Sequence, residues 1–143
     1  MTRIFFYHNA PDRIAAAARL LAGAYRQGKP VLVYAPEPGV AADIDRQLWL
    51  EPATGFIPHV RAESPLAAET PIVITADPEA ETGQAERLLN LSPGVPPAFS
   101  RFASLVEVVG QGNDERRAGR ERARFYKDRG YAIQYIDLAE TPA

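Results

Sequence analysis

GKPVLVYAPEPGVAADIDRQLWL, Gly28 to Leu50, contains the change of period on which the fold turns. Val31–Tyr34 is an unbroken apolar run, the pattern of a short strand covered on both faces. After it, Pro38-Gly39 opens a helix in which Val40, Ile44 and Leu48 recur four residues apart and form one apolar stripe. The same order precedes this stretch. Arg3–Tyr7 is aromatic and β-branched, hence a strand. Pro11-Asp12 then opens an alanine-rich helix with Ile14, Ala18, Leu21, Ala22 and Tyr25 at helical spacing, and Gly28 stands where a helix end favours glycine.

Downstream, a loop of about twenty residues leads to a strand at Ile72–Thr75. Arg87–Leu91 reads as a strand or a helical turn, and Pro93, Pro96 and Pro97 impose a turn-rich connection. Leu105–Val109 is a strand. Asp114–Arg129 is a helix with Asn113 or Asp114 as N-cap and Gly130 just past its end, and Tyr131–Asp137 is a last strand. Strands alternating with helices predict an α/β fold, a three-layer sandwich around a mainly parallel sheet, with residues 1–143 as one domain.

Composition excludes several classes. With no cysteine among 143 residues, disulfides and thiolate metal sites are ruled out. No apolar run approaches the ~20 residues that span a bilayer, and the N-terminus lacks a signal-peptide pattern, so a cytoplasmic location without membrane contact is expected. The net charge of −2 is unevenly spread. Asp114–Gly130 holds seven basic and four acidic residues, so a helix of net +3 sits on a body of net −5.

The segment Gly23-Ala-Tyr-Arg-Gln-Gly28-Lys29 matches the opening of a phosphate-binding loop, but the order is helix then strand, the reverse of what that loop requires. Pro30 stands where a metal-binding hydroxyl belongs. The segment reads as a helix end, with no nucleotide site and no cofactor. His8 lies at the end of the first strand and His59 follows Pro58; they lack metal-ligand spacing, and each reads as a hydrogen-bonded structural residue. Asp43 with Asp45 and Glu79 with Glu81 read as solvated pairs. No catalytic constellation is present and no feature here specifies a reaction, which leaves a small enzyme built on His8 or His59 a weak reading.

Two features remain. Arg116, Arg117, Arg120, Arg124 and Lys127 gather on one face of the last helix, beside Phe125 and Tyr126. Such a face is either a solvated helix surface or an anion site with an apolar neighbour, and arginine favours fork-like recognition of carboxylates. A direct binder of single-stranded nucleic acid is a weaker alternative, because the rest of the chain is acidic. The second feature is LWLEPATGFIPHV, Leu48–Val60, where Trp49, Pro52, Phe56, Ile57 and Pro58 cluster in a proline-restricted segment. By pattern it belongs either to the core or to a partner surface.

GKPVLVYAPEPGVAADIDRQLWLEPATGFIPHV closely resembles the signature half of the chi subunit family of bacterial DNA polymerase III. Phe99-Ser100-Arg101-Phe102, SLVEVV and RERARFYKDRGY resemble its second half, so the likeness covers nearly the whole chain and is weakest around Arg61–Gln84. The resemblance implies a Rossmann-like fold without a nucleotide site and a non-catalytic adaptor of the replicase. Its partner would be the acidic C-terminal tail of single-stranded DNA-binding protein, making DNA contact indirect. Arg120, Arg124 and Lys127 would receive the tail's carboxylates, with Phe125, Val106 and Val108 as the apolar part. Ala123 departs from an aromatic of the family, so either the apolar half of the pocket is weaker here or Phe125 or Tyr126 replaces it. Trp49, Phe56, Ile57 and Pro58 would meet the psi subunit of the clamp loader, or a helicase-like partner.

Overall fold

The computed structural model describes residues 1–50, 57–67, 70–79 and 85–139 of the chain. Its elements run β1 (Arg3–Ala10), α1 (Arg13–Arg26), β2 (Val31–Tyr34), α2 (Pro38–Leu50), β3 (His59–Arg61), β4 (Ile72–Thr75), β5 (Arg87–Asn90), a 3-10 turn (Phe99–Arg101), β6 (Ser104–Gly110), α3 (Asn113–Asp128) and β7 (Ile133–Asp137). The strands form one sheet in the order β3-β4-β2-β5-β6-β1-β7, and every pairing is parallel. The expected Rossmann-like α/β sandwich is therefore present, with a fully parallel sheet.

Local chemistry accounts for the element ends. Asp12 caps α1, its Oδ1 accepting from the amides of Ile14 and Ala15 at 3.1 Å each. Gly28 and Gly130 follow α1 and α3 at φ +70° and +87°, the left-handed conformation that glycine adopts without steric cost. Two readings need correction. The cap of α3 is Gly112 in extended conformation, with no side-chain hydrogen bond, in place of Asn113 or Asp114. The loop before Ile72 contains β3, a three-residue strand whose alternation is too short to detect in the sequence.

Two cores flank the sheet. On one face α1 and α2 bury Leu21, Ile44 and Leu48 against Val33, Ile74, Leu89 and Val108. On the other, α3 and the 3-10 turn bury Tyr126 and Phe99 against Ile4, Phe6, Leu88 and Leu105. Successive residues of β6 thus serve opposite layers: Leu105, Glu107 and Val109 face α3, and Val106 and Val108 face α1. Among the described residues no helix is long and apolar enough to cross a membrane.

Glu107 is fully buried within the second core. Its Oε1 accepts from Arg122 Nε at 2.9 Å and its Oε2 from the Tyr126 hydroxyl at 2.6 Å. Asn90 Nδ2 lies 3.1 Å from both oxygens. Arg122 extends the network by donating from Nη1 to the Pro93 carbonyl at 3.0 Å. Burial pushes the Glu107 carboxyl above the ordinary carboxylate range, while Arg122 and the Tyr126 and Asn90 donors pull it back. Burial and then the Glu107 charge push the Tyr126 hydroxyl far up, so it remains a donor. Removing one partner of a buried ion pair costs about 3–5 kcal/mol, because the other charge stays desolvated. Urea unfolding of Arg122→Met and of Glu107→Gln should each show a loss of that order. The double variant should lose less than the two together, with a coupling of about 0.5–3 kcal/mol; additive losses would contradict the network.

Candidate functional site

α3 is strongly polar, and only Gly119, Arg122, Ala123 and Tyr126 are buried along it. These four lie at i, i+3, i+4 and i+7, a single stripe against the sheet. Gly119 permits the close approach, since a Cβ there would lie 2.9 Å from Val109 Cγ2. With Arg122 locked inward on Glu107, the residues flanking the stripe are carried to one side. Arg116, Arg120, Arg124 and Lys127 consequently line a groove of about 630 Å³ between α3 and the β1–β7 edge of the sheet.

The floor of this groove is apolar and comes from three elements: Phe6 of β1, Val109 of β6 and Ala123 of α3, with Tyr135 of β7 beside them. Phe6 and Tyr135 pack with tilted rings at 5.7 Å between centroids, and His8 and Tyr135 meet in a T-shaped arrangement at 6.1 Å. Lys127 reaches across the groove, its Nζ 5.4 Å from the Tyr135 ring centroid. His8, Asn9, Asp128 and Asp137 form the rim, and Asn9 donates to Asp137 Oδ1 at 3.2 Å. All four cations are exposed, and no ion pair among the described residues involves them. An apolar floor under uncompensated cations suits a ligand with carboxylates at one part and apolar side chains at another.

The structure brings Arg120, Arg124 and Lys127 together as expected and adds Arg116, whose i, i+4 relation to Arg120 was visible in the sequence. Arg117 does not line the groove. Val106 and Val108 are not its floor, since strand alternation turns both towards α1 and Val109 takes that place. Phe125 also points elsewhere: its ring packs on Phe99 at 6.3 Å, with the Arg129 guanidinium carbon 3.7 Å from its centroid. Neither Phe125 nor the fully buried Tyr126 replaces the aromatic missing at Ala123; Tyr135, far away in sequence, stands in the groove instead.

The crevice at the carboxyl ends of β5 and β6, where open α/β sheets often hold ligands, is occupied by a side chain. Arg13 donates from Nε to the Val108 carbonyl at 2.8 Å and from Nη2 to the Ser92 carbonyl at 3.2 Å. Burial is the main cause lowering its pKa from the usual arginine range.

The segment around Trp49 divides between core and surface. Trp49 and Leu50, at the end of α2, are 58% and 64% exposed. Ile57, assigned to the same partner surface, is 1% exposed and belongs to the α1–α2 core, which corrects that assignment. Pro58 is half-buried, and Phe56 lies outside the described residues. His59 is buried: Nδ1 donates to the Ile57 carbonyl at 2.7 Å, and Nε2 lies 2.9 Å from Asp45 Oδ1 without the geometry of a hydrogen bond. Its ring supports Trp49 edge-on at 5.0 Å. Asp45 is thus engaged with His59, whereas Asp43 pairs with Arg46 at 2.8 Å on the surface.

A family model described as DNA polymerase III chi subunit, HolC, matches residues 1–134. The chain is 34% identical to DNA polymerase III subunit chi of Pseudomonas aeruginosa over 141 residues, covering 94% of this chain and 95% of that protein. The proteins of the same name from Haemophilus influenzae and Escherichia coli are 26% and 25% identical, over 82% and 85% of this chain and 81% and 86% of their own lengths. Among solved structures, the C-terminal domain of Saccharomyces cerevisiae Dbp5 shares the fold alone, with a TM-score of 0.58 at 8% identity over 96% of this chain and 90% of that one.

The division of the Trp49 segment has a direct consequence for stability. Ile57→Ala should lower unfolding free energy by about 2–5 kcal/mol, as large-to-small core changes do. Trp49→Ala, at a side chain 58% exposed, should cost less than Ile57→Ala. Chemical denaturation of both variants checks the order, and a larger loss at Trp49 would reverse the assignment.

Proposed function

The chain belongs to the DNA polymerase III chi subunit family, and on that premise we propose that it links the polymerase's clamp-loader assembly to single-stranded DNA-binding protein by holding that protein's acidic C-terminal tail in the α3 groove. The observation that carries this reading is the pairing of Arg116, Arg120, Arg124 and Lys127 with an apolar floor in one groove. Carboxylates of the tail meet the cations, and its apolar end lies on Phe6, Val109 and Tyr135. Each charge-assisted contact contributes about 1.5–3 kcal/mol, and the tail's ordering entropy offsets part of the sum, so micromolar affinity is expected.

The second contact is made by Trp49 and Leu50, an exposed aromatic and aliphatic pair of the kind that anchors interfaces. Its partner in this reading is the psi subunit or an equivalent clamp-loader protein. The two surfaces use different elements, α3 with β7 on one side and α2 with β3 on the other, so both partners can be held together.

Fluorescence anisotropy with a labelled tail peptide tests the first contact, with a labelled oligonucleotide beside it. Arg120→Ala and Arg124→Ala should each weaken tail binding about 10- to 100-fold, the equivalent of one charged hydrogen bond. Added salt should weaken it further as charges are screened. Tight binding of the oligonucleotide in place of the tail would overturn the adaptor reading. For the second contact, Trp49→Ala should reduce psi binding by about 30-fold or more, a hot-spot loss, and leave tail affinity unchanged. Loss of both activities together would contradict two separate surfaces.

A further inference from the structure

β1 is irregular in the residues that line the α3 groove. Against β6, Tyr7 pairs with Val108 and Ala10 with Gly110, so His8 and Asn9 together stand opposite the single residue Val109. Two residues against one is a β-bulge, and Asn9 makes it at φ +63°, a left-handed conformation that asparagine tolerates better than most side chains. The bulge shifts the alternation of the strand. Ala10 is buried in the α1 core, whereas Phe6, His8 and Asn9 all line the groove. Two consecutive polar side chains therefore reach the groove, where regular alternation would send one of them to the other face.

Asn9 is fixed by two contacts. Gln111 Nε2 donates to its carbonyl at 3.3 Å, and its own Nδ2 donates to Asp137 Oδ1 at 3.2 Å. Its side-chain oxygen, Oδ1, is an acceptor that no hydrogen bond among the described residues uses. The α3 wall of the groove is made of donors, since Arg116, Arg120, Arg124 and Lys127 donate and cannot accept. A carboxylate or a phosphate satisfies those cations but has no hydrogen to give Asn9. A peptide main chain has one at nearly every residue, on its N–H groups.

We propose that Asn9 is the residue that recognises the bound tail as a peptide: its Oδ1 accepts a main-chain N–H of the tail while the α3 cations hold the carboxylates. This rests on the tail-binding reading above and adds a specificity determinant outside α3. The contact selects against a polynucleotide, whose sugar–phosphate backbone carries no N–H. Gln111 and Asp137 hold the Asn9 backbone and side chain before the tail arrives, so little conformational freedom is lost on binding.

The test uses the full chain and Asn9→Gly, in which glycine keeps the left-handed backbone and removes only the carboxamide. By anisotropy, Asn9→Gly should bind the tail peptide about 2- to 10-fold more weakly, the worth of one neutral hydrogen bond, and the loss should persist in added salt. A series of tail peptides follows, each with one main-chain amide replaced by an ester, which lacks the N–H. One ester position should weaken binding to the wild type and not to Asn9→Gly. Asn9→Asp, which keeps an acceptor oxygen, should stay sensitive at that position. If no single ester weakens binding to the wild type, or none distinguishes it from Asn9→Gly, the proposal is overturned and the tail-binding reading stands. A loss in Asn9→Gly that vanishes at high salt also overturns it, since that marks repulsion from the Asp137 carboxylate in place of a missing acceptor. Failure of the wild type to bind the tail overturns both.

Discussion

A single buried carboxylate fixes the half of this molecule that carries the α3 groove. Glu107 sits at the centre of β6 with no exposed surface, and four hydrogen-bond contacts converge on it from α3 and β5. A charge in that position is tolerable only when its lone pairs are satisfied, which restrains every donor around it. Arg122 and Tyr126 are one helical turn apart, so their convergence sets the rotation of α3 about its own axis. Asn90 and the Pro93 carbonyl tie the proline-rich connection after β5 to the same point.

The consequence appears on the neighbouring face of the helix. Of seven basic residues between Asp114 and Gly130, Arg122 is consumed by the interior, and four others are directed to the groove. A rotation of α3 by one residue, about 100°, would expose the Arg122 position and spread the remaining cations over open solvent. Clustering like charges has an electrostatic cost, which solvent exposure keeps small. Among the described residues no ion pair engages these four cations, and they stand next to apolar area supplied by β1, β6 and β7.

The other surface follows a different rule. His59 donates to the Ile57 carbonyl and lies beside Asp45, and the Trp49 and His59 rings meet in a T-shaped arrangement. Ile57 goes into the core and anchors the chain just after the segment that leaves α2, while Trp49 and Leu50 stay outside. The apolar richness of Leu48–Val60 thus has two causes. Leu48 and Ile57 fill the layer under α1 and α2, and Trp49 with Leu50 forms an exposed patch.

Much of this was legible in the residues alone. The alternation of strand and helix periods, the glycine after α1 and α3, and the failed phosphate loop determine a parallel α/β sandwich, because they depend on local sterics and hydrophobic period. The i, i+4, i+8 row of arginines determines a cationic helix face for the same reason. What depended on tertiary structure was parity and distance. Side chains alternate along a strand, so whether Val108 or Val109 faces α3 changes with a single residue of phase, and only the packing of Glu107 against Arg122 sets that phase. Tyr135 joins Phe6 through strand order, which brings together residues more than a hundred positions apart and leaves no local trace. Burial likewise separated Ile57 from Trp49, since composition reports apolar area but only the packed chain determines which of it water can still reach.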